Sequence, residues 1–342
     1  MEARSKLNFS RRNWWLLAGV LLFYGGIKAV AYTEMVNEYW LRVLDQALIT
    51  TIGALGLSII YGFAGQFSLG HAAFYGAGAY TAGLIGKLYG QDSLLIFLLA
   101  LLAGALVTGL ISLLVGLPIL RLRSDYLGIA TLGFGIIVKV VLDNSHKIYP
   151  PLGGATGMTG VPQFANFDII FLFFLGTIFL VRNFIDSSYG RACVAIREDE
   201  IAADAMGIDT TRSKVLAFVM GCALAGLAGG LYASRYPYLH PTIADFLKSF
   251  DFLLIVVIGG LGSMSGTIAT AIAWVFLLEG LRIVLGQTFV DWRGVIYALI
   301  LIITILLRPQ GLFSGKELKA LFPDRRKSAS KGVGNQHASA GS

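Results

Sequence analysis

Ten stretches of this chain are close to the length and apolarity needed to cross a lipid bilayer: residues 14–33, 42–63, 66–89, 93–119, 126–145, 168–185, 214–235, 250–264, 267–285 and 293–307. A hydrocarbon core takes about 20 residues of helix to cross. Within it every backbone N–H and C=O must be satisfied inside the segment, which leaves the α-helix as the solution for runs of this kind. The stretch at 250–264 is short and broken by glycine, so nine spans is the alternative count. Composition agrees, since 14% of the residues are charged and 56% are hydrophobic, whereas soluble domains carry about 25% charged residues. The expected fold class is an all-α polytopic membrane protein of about ten transmembrane helices, with one membrane domain over residues 1–313.

Arg11 and Arg12, the apolar run after them and Ala29-Val30-Ala31 have the outline of a secretory signal with its cleavage site. The run is long for such a signal and further spans follow, so it is read as an uncleaved first helix. The two cysteines, Cys193 and Cys222, define no disulfide framework.

A net charge of +7 raises the question of nucleic acid, and the distribution of the charge answers it. With the N-terminus inside and ten alternating spans, 18 of the 27 Lys and Arg fall on the inner side: Arg4, Lys6, Arg11, Arg12, Arg121, Arg123, Arg182, Arg191, Arg197, Arg212, Lys214 and the seven from Arg308 onward. Positive charge retained on the cytoplasmic side is the usual determinant of membrane orientation. The excess is therefore topological, no nucleic-acid partner is expected, and both termini are expected in the cytoplasm. Residues 314–342, basic and rich in Ser, Gly and Ala, read as a disordered cytoplasmic tail.

On this topology the loop 186–213 is cytoplasmic and contains "IREDEIAADAMGID", Ile196 to Asp209. Glu198, Asp199 and Glu200 stand where a helix N-terminus favours acids. Ile201 with Ala205 and Ala202 with Met206 are i,i+4 pairs that would form one small apolar face, and Gly207 suits the helix stop. Such a short helix is marginal alone in water, so it needs a partner surface, either its own membrane domain or another protein.

The segment resembles the cytoplasmic coupling loop of ABC importer permeases, in which Glu-Ala-Ala is followed after three residues by Gly. Ala202, Ala203 and Gly207 match that spacing; Ile201 takes the place of the Glu, with Glu200 one position early. "GQFSLGHAAFYGAGAY" (65–80), "RLRSDYLGIATLGFG" (121–135), "GGATGMTGVP" (153–162), "IGGLGSMSGTIA" (258–269) and "LLRPQGLF" (306–313) resemble, in the same order, the LivM-type permeases of branched-chain amino acid ABC importers. One departure is Ile136, where that family often has Glu.

The resemblance implies a non-catalytic membrane subunit in the bacterial inner membrane. Its partners would be two ATPase subunits that bind the ATP, a LivH-like second permease and an external substrate-binding protein. The ATPase-coupling helix would comprise Glu200, Ile201, Ala202, Ala203, Met206 and Gly207. Related permeases carry urea or amides, which stands as an alternative substrate class, and a stand-alone secondary transporter is the alternative mechanism. The latter needs membrane-embedded carboxylates for a coupling ion, for which Asp45, Asp143, Asp251 and Glu279 are the candidates.

Small residues let helix backbones approach closely in a bilayer, and glycine also permits a broken helix where protein or a cavity receives the exposed backbone. Two segments have this character, around Ser68, Gly70 and His71 and around Gly262, Ser263 and Ser265. They are the candidate translocation pathway, and their similar placement points to two related halves, spans two to five and seven to ten. Two readings of His71 stay open: it lines the pathway, or it bonds a neighbouring carbonyl as packing. Arg121, Arg123 and Asp125 read as interfacial anchors. Residues 149–163, rich in Pro and Gly, form an outer loop that would either receive an external partner or simply connect. The chain has no phosphate-cradling GxxxxGK[ST] loop, no metal-ligand spacing and no nucleophile–base grouping, so no cofactor is expected in it.

Overall fold

A computed structural model describes residues 24, 25, 28, 37–90, 93–120, 124–286, 288–308 and 311–312. The expected first span, apart from residues 24, 25 and 28, lies outside the described residues, as do Arg121, Arg123 and the tail 314–342. The chain divides into two units, residues 1–43 with 317–342, and residues 44–316. In the first, residues 38–43 open the helix α1, where Arg42 pairs with Glu38 at 2.7 Å. The rest of that helix and every later helix belong to the second.

The helices are α1 (Glu38–Leu57, continued by a π-helical turn Ser58–Phe63), α2 (His71–Tyr89), α3 (Leu94–Ile119), α4 (Ser124–Asp143), α5 (Phe167–Asp186), α6 (Ser188–Glu198), α7 (Glu200–Ala205), α8 (Thr210–Arg235), α9 (Phe246–Gly259), α10 (Met264–Leu285) and α11 (Thr288–Leu307). Among the described residues, six are long and apolar enough to cross a membrane: α1 with its π turn, α3, α4 from Tyr126, α5, α8 and α10. The fourteen residues of α9 rise only about 21 Å, too little to cross the hydrocarbon alone. Span 250–264 is thereby corrected to a short helix that begins inside the protein, after the turn Pro241–Ala244.

Burial ranks the helices. Of the most apolar window in each, 89% is buried in α1 and 61% in α8, against 22–33% in α3, α4, α5 and α10. Thus α1 and α8 are enclosed by protein, while α3 turns Leu95, Leu102, Leu106, Leu110 and Leu114 outward, as a lipid-facing surface requires. Close approach makes the enclosed pair possible. A Cβ on Gly56 would strike the Gly221 carbonyl, and one on Gly221 would strike that of Gly56. Gly78 of α2 meets Gly226 of α8 in the same way. Without a hydrophobic drive between helices in lipid, such contacts supply the packing.

A helix–break–helix unit occurs twice. Both α1 with its π turn and α8 are 26 residues long, and each is followed by a non-helical break and a further helix, α2 or α9. They run in opposite directions. The end of α1 meets α6, through Arg197 and Gly62, and α8 starts at that same end, where Cys193 of α6 meets Ser213. At its far end α8 leads into β2 (Tyr238–Leu239), which pairs antiparallel with β1 (Met158–Thr159) in the register Met158 with Leu239. The expected outer loop is therefore tied to the break after α8. Opposed helix–break–helix units are the arrangement of inverted repeats.

Candidate functional site

The loop 186–213 is built from caps. Ser187 starts α6 by accepting from the Gly190 N–H at 3.2 Å, and Cys193 and Ile196 are buried beneath that helix. Burial pushes the Cys193 thiol up to about 11. Asp199 then breaks the chain at φ −157° and caps α7, with Oδ1 accepting from the N–H groups of Ile201 at 2.9 Å and Ala202 at 3.0 Å. After α7, Gly207 N donates to Asp204 O and Ile208 N to Ala203 O with Gly207 at φ +82°, the hydrogen-bond pair of a Schellman stop. Asp209 caps α8 through the Arg212 N–H at 2.9 Å.

Two expectations are corrected here. The segment 196–209 is not one helix, because Glu198 ends α6 and Asp199 separates it from α7. Nor do the coupling residues all face outward. Ile201 is 84% exposed and Met206 83%, with Glu200, Ala202 and Gly207 also exposed, but Ala203 is 5% exposed against its own chain. At the start of the same helix the Glu200 carboxylate pairs with Lys214 at 2.5 Å.

The candidate pathway residues divide into two groups. Around the break after α1, Gly70 packs on the Thr131 carbonyl of α4, the Leu69 N–H donates to Thr131 Oγ1 at 3.0 Å, and the Ala72 N–H donates to Ser249 Oγ of α9 at 3.0 Å. The starts of α2 and α9 thus meet inside the protein. His71 Nε2–H donates to the Gly53 carbonyl at 2.9 Å, and its ring sits edge-on to Phe252 with no exposed surface. This carbonyl contact is the one that the packing reading of His71 calls for. Its Nδ1, Ser68 Oγ and Gln66 Oε1 are buried with no hydrogen-bond partner.

The second group lies in the turn between α9 and α10. Ser263 caps α10 by accepting from Gly266 N at 3.2 Å and lies 3.5 Å from Ser265 Oγ. Thr267 reaches Ser58 Oγ of the π turn at 3.4 Å. A Cβ on Gly62 would lie 3.1 Å from Gly262 N. So the two Gly-rich motifs do come together, but through Gly62 and Gly262 rather than through Ser68 and Ser263. Gly62, Arg197, Ser249 and Thr131 were not expected at the site. Their partners are mostly backbone atoms distant in sequence, which no residue pattern announces.

Each of the four candidate carboxylates pairs with a base. Asp45 meets Arg235 at 2.6 Å, Asp143 meets Lys139 at 3.3 Å, Asp251 meets Lys248 at 3.4 Å, and Glu279 meets Arg282 at 3.1 Å. Asp251 also accepts from Trp274 Nε1 at 3.3 Å. A carboxylate that carries a coupling ion must exchange it, whereas these are held by fixed cations. Among the described residues no His, Cys, Asp or Glu side chains cluster as metal ligands.

Comparison with known proteins agrees with this architecture. Residues 39–305 match the family described as the permease component of branched-chain amino acid transport systems. The chain is 33% identical to the high-affinity branched-chain amino acid transport system permease protein LivM of Salmonella typhimurium, over 83% of this chain and 72% of that protein. It is 29% identical to BraD of Pseudomonas aeruginosa, over 78% and 92%, and 24% identical to LivH of Escherichia coli K12, over 78% and 91%. No solved structure matches it. With apolar helices long enough to cross a membrane and a family match over residues 39–305, this chain belongs to the family of branched-chain amino acid transport permeases, and it is a multi-pass membrane protein.

Proposed function

We propose that this chain is the LivM-type permease of an ABC importer in a bacterial inner membrane, and that α7 is the surface on which an ATPase subunit docks. The observation that carries the reading is α7 itself. It is a six-residue helix capped at both ends, and it presents Ile201 and Met206 almost fully to solvent. A helix this short does not persist by propensity. The caps and the Glu200–Lys214 pair hold it in place, while Ile201 and Met206 face away from its own chain. That is the form of a small helix set to enter a groove.

The remaining assignments follow. Two ATPase subunits, which bind the ATP, work from the α6–α7 end. A LivH-like second permease completes the pathway, since the chain resembles both LivM and LivH permeases. An external binding protein delivers branched-chain amino acids at the opposite end, where β1 and β2 tie the loops together. Both termini are cytoplasmic, with ten crossings when the first is counted and α9 is taken together with the break before it. Substrate passes beside the breaks, where a narrow groove is lined by Leu69, Gly135, Ala244 and Ser249, with Ser68 and Gly70 on one side and the Gly262–Ser265 turn at the inner end.

The test replaces the exposed residues, not Ala203. Burying Ile201 in a partner groove is worth about 2 kcal/mol, so Ile201→Asp and Met206→Asp should each weaken ATPase association roughly tenfold or more. Membrane insertion should not change. Pull-down of the ATPase at matched membrane levels, followed by uptake, reads the result. Wild-type association in both variants would overturn the assignment of α7.

A further inference from the structure

The cytoplasmic helices are joined to the first membrane break at two points, each formed by a side chain reaching a main-chain oxygen. Arg197, in the last turn of α6, sends Nη1 to the carbonyl of Gly62 at 2.6 Å. That carbonyl lies at the end of the π turn, where the last acceptors of a helix have no partner within it and favour a cation. Glu198 holds the guanidinium from the other side, accepting from Nη2 at 2.6 Å and from Nε at 3.2 Å.

The slot for Arg197 is walled by glycines from both halves. Gly65 at φ +70° and Gly262 at φ +79° are in the left-handed region. A Cβ on Gly65 would lie 2.9 Å from Arg197 Cγ, and one on Gly262 would lie 2.6 Å from Nη1. One side chain of α6 therefore touches the inner ends of both opposed units. The second tie runs beside it. Gln66 Nε2 donates to the Lys214 carbonyl at 3.0 Å, while the Lys214 ammonium holds Glu200 of α7.

We propose that Arg197 and Lys214 are positioning residues of the transport cycle. They transmit displacement of the docking helix to the breaks, with Arg197 gripping both halves and Lys214 linking α7 to Gln66. The inference rests on α7 being the ATPase surface. Only Asp199 separates Arg197 and Glu198 from α7, so a shift of α7 moves the guanidinium. The π turn it holds is a type of irregular helix often found at functional sites.

The experiment uses the whole importer in proteoliposomes, with permeases, ATPases and loaded binding protein, and three readouts: ATPase association, ATP hydrolysis, and uptake per ATP hydrolysed. Arg197→Met should keep ATPase association and lower uptake per ATP by about tenfold, within the usual range of coupling between sites. Arg197→Lys keeps the charge but loses the fork that serves Gly62 and Glu198 together, so it should restore part of the coupling. Gln66→Leu cuts the second tie from the membrane side, leaves the cytoplasmic helices untouched, and should also lower uptake per ATP. Wild-type uptake per ATP in Arg197→Met overturns the proposal. So does a loss of ATPase association equal to that of Ile201→Asp, which would make Arg197 part of the docking surface. If Arg197→Met does not assemble, normal coupling in both Arg197→Lys and Gln66→Leu overturns it. Ile201→Asp separates the two readings. If that variant still binds the ATPase, the docking assignment falls and this inference with it; if it releases the ATPase while Arg197→Met couples normally, only the inference falls.

Discussion

Gly56 and Gly221 face each other where α1 crosses α8, and each lacks the one atom that would strike the other's carbonyl. A β-branched residue at either position meets a main-chain carbonyl that cannot swing aside, and at Gly221 the Ile60 side chain as well. Gly221→Val should therefore force the helices apart at a cost of about 1–3 kcal/mol or more and reduce assembled protein. Gly176→Ala, where nothing lies within 4 Å, should leave the amount of assembled protein unchanged. Size-exclusion of the solubilised chain checks the pair, and equal recovery of the two variants would contradict the close-contact account. His71 poses a sharper question. Its ring fills a site between Gly53 and Phe252, so His71→Ala should lower thermal stability in detergent by about 2–4 kcal/mol. His71→Gln, which retains a donor, should recover part of that loss. Lost uptake with unchanged stability would instead place the imidazole in the pathway. Sequence showed that this histidine sits among small residues at membrane depth. It could not show which carbonyl it meets, since Gly53 has no side chain to signal the contact.

At the scale of elements, α7 depends on its ends more than on its interior. Gly207 at φ +82° has open space around its Cβ position, so any effect of substitution there is backbone strain alone. Gly207→Val should cost about 1–3 kcal/mol, fray α7 and weaken ATPase association, while Gly207→Asn should be tolerated because Asn accepts the left-handed conformation. Hydrogen exchange over residues 200–208 would show the fraying directly; equal protection in the two variants would dismiss it. This stop was legible in the sequence, because few residues besides Gly fit the position. The start was not. Glu198, Asp199 and Glu200 are all plausible first-turn acids, and the choice of Asp199 as cap depends on how α6 ends against Arg197 and Gly62. The Glu200–Lys214 pair at the start of the same helix was equally hidden, for its partners stand fourteen residues apart. The break before α9 was misplaced for a related reason. The apolar run read as a span starts at 250, whereas the helix begins earlier at its Asp245 cap, and its first turn is committed through Ser249 to α2.

Across the whole molecule, apolar length alone made the membrane class readable: of the nine expected spans among the described residues, six coincide with helices long and apolar enough to cross a membrane, whereas 250–264 meets a helix too short to do so. The opposed direction of the two halves was not readable. Two glycine-rich motifs indicate that breaks recur, but direction is a property of which ends meet, and those meetings are made by Gly62 with Gly262 and by β1 with β2. These contacts give the last prediction a geometry that charge counting lacked. Leu312 N donates to Ile258 O at 2.8 Å, so the chain just past α11 lies against the α9–α10 turn, at the same end as Arg197. Ala155, exposed beside β1, lies at the other end. With the positive residues inside, a cysteine at Ala155 should react with a membrane-impermeant maleimide in intact cells, and one at Leu312 only after permeabilisation. The native thiols give a low background. Cys193 and Cys222 are buried, and with its thiol pushed up to about 11, Cys193 carries almost no reactive thiolate at neutral pH; its labelling should rise only as the medium approaches that value. Labelling of Leu312→Cys from outside, with Ala155→Cys protected, would invert the molecule. It would put Ile201 and Met206 outside the cell, where no ATPase could reach them, and the docking role of α7 would be lost with the orientation.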